Sequence, residues 1–156
     1  MSLIATDFDY APKQAALIIS SFYKATGKHL IDPTLNDQTK ALFNADFGVV
    51  SHGTQSDPIF NYGNQSALAL FEFTWQDFTQ LPSKYSAEAK TQEERSYLLD
   101  QVNKKGFIDD YQGVCISSTG TRFFVEKAIV WDVIDDEGNY RGQAAALYEW
   151  SPYNEQ

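Results

Sequence analysis

The residues with chemistry to offer are few and scattered. Two histidines, His29 and His52, and one cysteine, Cys115, stand far apart in a chain of 156 residues. They lack the short paired spacing of a zinc site. A lone cysteine forms no internal disulfide, and Cys115, set between Val114 and Ile116, reads as a small apolar filler. Asp109-Asp110 places two carboxylates together after Gly106-Phe107-Ile108, where one has the means to hold a cation or a ligand amine, or to act as an acid or base. The plainer role is a solvated strand start or an ion pair with Arg122 across a hairpin, worth at most about 1 kcal/mol. His52 closes the run Val49-Val50-Ser51-His52. Catalysis, haem ligation and tying down the turn over 53–57 are all open to it, and the last is the simplest. His29 looks superficial. No nucleophile elbow, zinc-protease helix, cysteine pair, P-loop or dinucleotide fingerprint occurs.

Composition narrows the classes further. Twelve basic residues against 21 acidic ones leave a net charge of −9, which disfavours nucleic acid and anionic lipid as partners. At 43% apolar and 21% charged the chain is an ordinary folded globule of single-domain length. The opening MSLIATDFDY has no basic start and no long apolar core, and the longest apolar run, 15–19, is far too short to span a bilayer. The sequon Asn64-Gln65-Ser66 is then coincidental. A cytoplasmic protein off the membrane is expected. Aromatics make up 15% of the chain, and a binding cavity is one use for them.

The elements that must position these residues follow from pattern and punctuation. Pro12 opens a helix over 12–26 with Ala15, Ile18, Ile19 and Phe22 as its apolar stripe, and Gly27 stops it. Asn36 is expected to cap a short helix over 37–44, with Leu42 and Phe43 inward. Strands are expected over 47–52 and 59–62, with a turn between them. Asn64 caps a buried helix through Phe71, and Thr74 opens another that Pro82 ends. Thr91 and Glu94 form a capping box for a longer helix with Leu98, Leu99 and Val102 inward and Gly106 as its stop. Strands over 107–117, 121–134 and 140–150, turning at Gly120 and Gly138, then form an antiparallel meander. The expected fold is α+β: a five-stranded antiparallel sheet with helices on one face (46–151), preceded by an N-terminal helical extension (1–45).

That element order is the PAS order, and Asp57-Pro58-Ile59-Phe60-Asn61-Tyr62-Gly63-Asn64-Gln65-Ser66-Ala67 resembles the PAS segment in which a strand ends in a helix-capping Asn. More specifically, residues 49–150 resemble the MEKHLA domain, a PAS-like family of small stand-alone bacterial proteins and plant homeodomain–leucine zipper regulators. The stretches that carry the resemblance are VVSHGTQSDPIFNYGNQSALALFEFTWQDFTQLPSKYSAE, GFIDDYQGVCISSTGTRFFVEKAIVWDVID and YRGQAAA. Sustained heptads and a basic region are absent, so the DNA-linked role of the plant members is not expected here. The resemblance implies a sensory or ligand-binding module that pairs with itself and signals through association with another protein. It leaves the cofactor unknown. Haem is disfavoured because the mid-domain helices carry no His, and a LOV-type flavin because no Asn-Cys-Arg motif follows the second strand.

Within that frame the last strand supplies room. Ala144 and Ala146 share a parity, and the expected pocket adds Phe71, Trp75, Tyr85, Phe107, Ile116, Phe123, Val125 and Trp131 as its walls. Large side chains opposite the alanines are equally able to fill the space and leave a dry core. On the pocket reading, Ala146→Leu blocks a small apolar or aromatic ligand and keeps the fold. The middle strand is apolar on both parities, with Phe123, Val125, Ile129, Trp131 and Val133 on one and Phe124, Ala128 and Val130 on the other. Its second face is covered either by the N-terminal helices or by a second copy, with Phe22, Phe124 and Val130 as the candidate interface. Two other classes stay open: an interaction domain with a filled core, and a small cone-shaped α+β enzyme using Asp109, Asp110 or His52.

Overall fold

A computed structural model describes residues 11–88 and 92–153, without the side chains of 92, 95, 99 and 103. Thr91 and the Leu99 side chain, both singled out above, therefore lie outside the described residues. Helix α1 (Pro12–Thr26) and helix α2 (Gln38–Phe43) precede strands β1 (Gly48–His52) and β2 (Phe60–Gly63). Helices α3 (Gln65–Phe71) and α4 (Trp75–Phe78), a 3-10 turn (Ser83–Ser86) and helix α5 (Gln92–Lys105) follow. Strands β3 (Phe107–Ile116), β4 (Arg122–Ile134) and β5 (Tyr140–Pro152) close the chain. The sheet has five strands in the order β2-β1-β5-β4-β3, antiparallel throughout. Among the described residues no helix is long and apolar enough to cross a membrane.

The caps follow from short polar side chains in extended backbone. Asn64 and Thr74 accept hydrogen bonds from the Ala67 and Asp77 N–H groups, as their sequence positions predict. The α2 cap is Asp37, not Asn36: its carboxylate accepts from the Lys40 N–H at 3.0 Å. Pro82 does not end α4, which stops at Phe78, but sits extended as the lead-in to the 3-10 turn. Proline suits that place, since its φ is preset and no N–H is needed there.

Two apolar layers sandwich the sheet. Helix α1 lays Ala15, Ile18 and Phe22 on one face, against Val49, Trp131, Val133, Ala144 and Ala146. Ser21, at the same helical spacing, seals the end of β4 by donating to the Ile134 carbonyl at 2.9 Å and accepting from its N–H at 2.8 Å. On the other face α3 and α4 bring Leu68, Phe71 and Phe78 against Val50, Phe60, Phe123, Val125 and Leu147. In the α1 layer the Tyr62 hydroxyl and the Trp131 indole N–H are buried without a hydrogen-bond partner. Their rings are held edge-on instead, Tyr62 by Trp75 at 5.6 Å and Trp131 by Phe22 at 4.8 Å.

One irregularity decides which residues face which layer. The β4–β5 register shifts at Val125–Lys127 and back at Lys127–Ala128, leaving one extra residue on each strand, and an extra residue in a strand reverses its inward–outward alternation beyond it. Phe123 and Val125 therefore join the α3–α4 layer, whereas Trp131 and Val133 join the α1 layer. The single parity expected along β4 is corrected accordingly. Glu126-Lys127, both exposed, mark the break.

Candidate ligand-binding cavity

A cavity of about 640 Å³ lies between the α3–α4 face of the sheet and the elements that cross it. Its floor is a row of register partners, Val50, Ala145, Val130 and Ile108, running across β1, β5, β4 and β3. Directly opposed residues of an antiparallel sheet point to the same face, so the row forms a continuous apolar strip. Ala145 and Val130 lie in central strands yet are only half-buried, which marks the cavity as reached by solvent.

The walls come from three segments. Phe71, at the end of α3, stands at one side. The segment after Pro82 crosses the inner face between the two edge strands: Ile59 of the β2 side bridges Pro82, and Ala87 bridges Cys115 of β3. That strap brings Ser86 to the lining and exposed Lys84 and Glu88 to the rim. The rim charges are paired, Lys84 with Asp57 at 3.2 Å and Glu88 with Arg122 at 2.7 Å. Leu98 and Val102 of α5 complete the enclosure. Tyr111 and Cys115 of β3 also line it, and burial pushes the Tyr111 phenol up to about 12, so it stays neutral at physiological pH. A staple fixes the α3 end: the Glu72 carboxylate accepts from the Ser117 hydroxyl at 2.7 Å and from that of Thr119.

The residues expected to form a pocket divide between the layers. Phe71 lines the cavity; Phe123 and Val125 are buried in the same layer, Phe123 edge-on to Phe71 at 5.2 Å. Trp75 packs at the margin of both layers. Trp131, Ala144 and Ala146 are buried beneath α1, and Phe107, the register partner of Trp131, packs with them. Tyr85 is 60% exposed, with the Lys84 ammonium 5.3 Å from its ring centre. Ile116 is half-buried at the far end of β3. Ala144 and Ala146 thus lie on the α1 face, and of the three successive alanines Ala145 is the one on the cavity face.

The residues named for a candidate interface are also divided. Phe22 is buried against Trp131 of its own chain and Val130 lines the cavity, which leaves Phe124, half-buried, with access for a partner. Asp109 and Asp110 are exposed on β3 and outside the cavity lining, and Asp110 accepts a hydrogen bond from Tyr97 at 3.2 Å. Arg122 pairs with Glu88 rather than with either aspartate, because the hairpin register sets it opposite Ile116. His52 places Nδ1 2.9 Å from the Gly53 carbonyl, at the head of the following turn.

Comparison with known proteins agrees with this architecture. A model of the MEKHLA domain matches residues 13–152, a span that takes in α1 and α2 as well as the sheet. The homeobox-leucine zipper protein ATHB-9 of Arabidopsis thaliana is 26% identical over 98 residues, covering 63% of this chain and 12% of the relative. ATHB-8 of the same plant is 28% identical over 138 residues, covering 85% of this chain and 16% of the relative. The chain therefore spans less than a fifth of these curated relatives. Among solved structures, the PAS domain of a protein from Colwellia psychrerythraea superposes with a TM-score of 0.60 at 12% identity, covering 72% of this chain and 92% of that one. The photo-excited blue-light photoreceptor Vivid gives a TM-score of 0.57 at 12% identity, covering 85% and 94%. At such identities the likeness is one of fold, and the fold is PAS-like.

Proposed function

The chain belongs to the MEKHLA domain family, and on that premise we propose that it is a PAS-like sensory module whose cavity takes a small, largely apolar molecule and whose signal passes by association with another protein. The observation that carries this reading is the solvent-reached cavity of about 640 Å³ over an apolar floor. Small-molecule sites typically measure about 300–1,000 Å³ and are largely apolar with a few placed polar groups. A core that simply filled itself would bury Ala145 and Val130, and they are not buried.

The alanine triplet supplies the test. Ala145→Phe raises a ring from the middle of the floor, between Val50 and Val130. In native mass spectrometry of freshly purified protein, a mass that accompanies the unmodified chain should be lost from this variant. If the unmodified chain carries nothing, titration with 2-naphthylmethanol should show saturable binding that Ala145→Phe weakens about 10-fold or more, equivalent to about 1.4 kcal/mol. Ala146→Leu overpacks the α1 layer instead: it should cost about 1–3 kcal/mol of stability and leave binding unchanged. Equal binding by Ala145→Phe and the unmodified chain removes the cavity from the account.

A further inference from the structure

Next to the apolar floor lies a polar row, of which Gln143 reaches the cavity lining. One step along from the apolar row, His52, Gln143 and Asp132 are successive register partners across β1, β5 and β4. Gln143 lines the cavity, and its Nε2 donates to Asp132 Oδ1 at 3.2 Å, which places the carboxylate on the same face. The Gly53 carbonyl that meets His52 Nδ1 can only accept, so Nδ1 is the donor of that contact. The capacity left on the Gln143–Asp132 pair is two acceptors, Gln143 Oε1 and Asp132 Oδ2, with one formal negative charge, against a single remaining amide N–H of Gln143. Lys84, the cationic residue of the described lining, sits on the rim and is paired with Asp57.

Resting on the ligand-binding reading above, we infer that the cavity selects apolar molecules that end in a hydrogen-bond donor, a primary ammonium above all, with that end seated against Gln143 and Asp132. A carboxylate at the same place meets acceptors and a like charge in a partly desolvated site, and binds worst. A hydroxyl satisfies the row without the charge.

Matched naphthalene probes test this by calorimetric titration of the intact chain: 2-naphthylmethylamine, 2-naphthylmethanol and 2-naphthoate. The amine should bind about 10-fold or more tighter than the carboxylate, with the alcohol between them, as expected for hydrogen bonds to a charged acceptor. Asp132→Asn keeps the side-chain shape and should remove most of the amine's advantage over the alcohol, with the thermal midpoint of the variant confirming its fold. Binding with no preference, or with the carboxylate tightest, overturns the donor rule while the cavity reading stands. An amine advantage unchanged in Asp132→Asn overturns the assignment to this row. If none of the probes binds, the cavity reading fails and takes this inference with it.

Discussion

Gly142→Ala should destabilise the protein by about 3 kcal/mol or more, a midpoint fall of roughly 10 °C for a chain of this size. The cause is backbone meeting backbone. Gly142 lies in β5 immediately before the stretch paired with β1, with φ +115°, a conformation that L side chains rarely adopt. A Cβ built there overlaps the His52 carbonyl oxygen and crowds the Gly53 Cα. Neither atom belongs to a flexible side chain, so β1 and β5 must part at the His52–Gln143 pair. Gly138→Ala is the internal control: it also has a positive φ, +86°, but nothing lies within 4 Å of its added methyl, so it should lose only about 1 kcal/mol of conformational strain. Denaturant titration of both variants separates strain from collision. Equal losses in the two would mean that β1 and β5 are not closely paired at this point. The same parting disturbs His52 and Gln143, so Gly142→Ala should also weaken the amine probe beyond what Gly138→Ala does.

How far such features are legible in sequence depends on their range. Local signals read well: Asn64 and Thr74 cap where their spacing from the apolar runs puts them, and the three long strands fall between Gly106, Gly120 and Gly138. Asn36 and Asp37 are both good caps in tandem, and only the turn geometry chooses the second. Face assignment fails for a different reason. Parity is a relative quantity, and one bulge reverses it for everything beyond. The adjacent charges Glu126-Lys127, which interrupt both parities at once, are the signal in the sequence for that bulge. An unbroken alanine triplet has no parity of its own, so nothing local distinguishes Ala145 from its neighbours, and only its pairing with β1 and β4 sets its face. The strap after Pro82 and the approach of Gly142 to His52 are contacts between distant segments, and no local pattern encodes them.

Asn64→Asp is expected to cost about 3–5 kcal/mol at neutral pH, although it conserves shape and the helix cap. The Asn64 side chain is fully buried and uses its whole hydrogen-bonding capacity. Its Oδ1 accepts from Val49 N at 2.9 Å and Ala67 N at 3.1 Å, and its Nδ2 donates to Leu42 O at 3.0 Å and Phe47 O at 2.9 Å. Aspartate keeps both acceptor contacts but turns an oxygen toward two carbonyl oxygens, away from water. Protonation relieves this by restoring one donor, so the folded-state pKa of the new carboxyl must lie above its unfolded value. A raised folded pKa adds stability as pH falls, so the gap between variant and unmodified chain should narrow from pH 7 to pH 5 in urea titrations. A gap below about 1 kcal/mol at pH 7, or one that does not change with pH, would contradict the buried network. The same amide joins α2, β1 and α3, and through α3 it reaches the Phe71 wall of the cavity. Loss of its two donor bonds should therefore weaken the helical lead-in and the sheet together. A single cooperative transition in Asn64→Asp means that the α1–α2 cover and the cavity-bearing sheet form one structural unit, whereas two separated transitions would make the lead-in an independent piece.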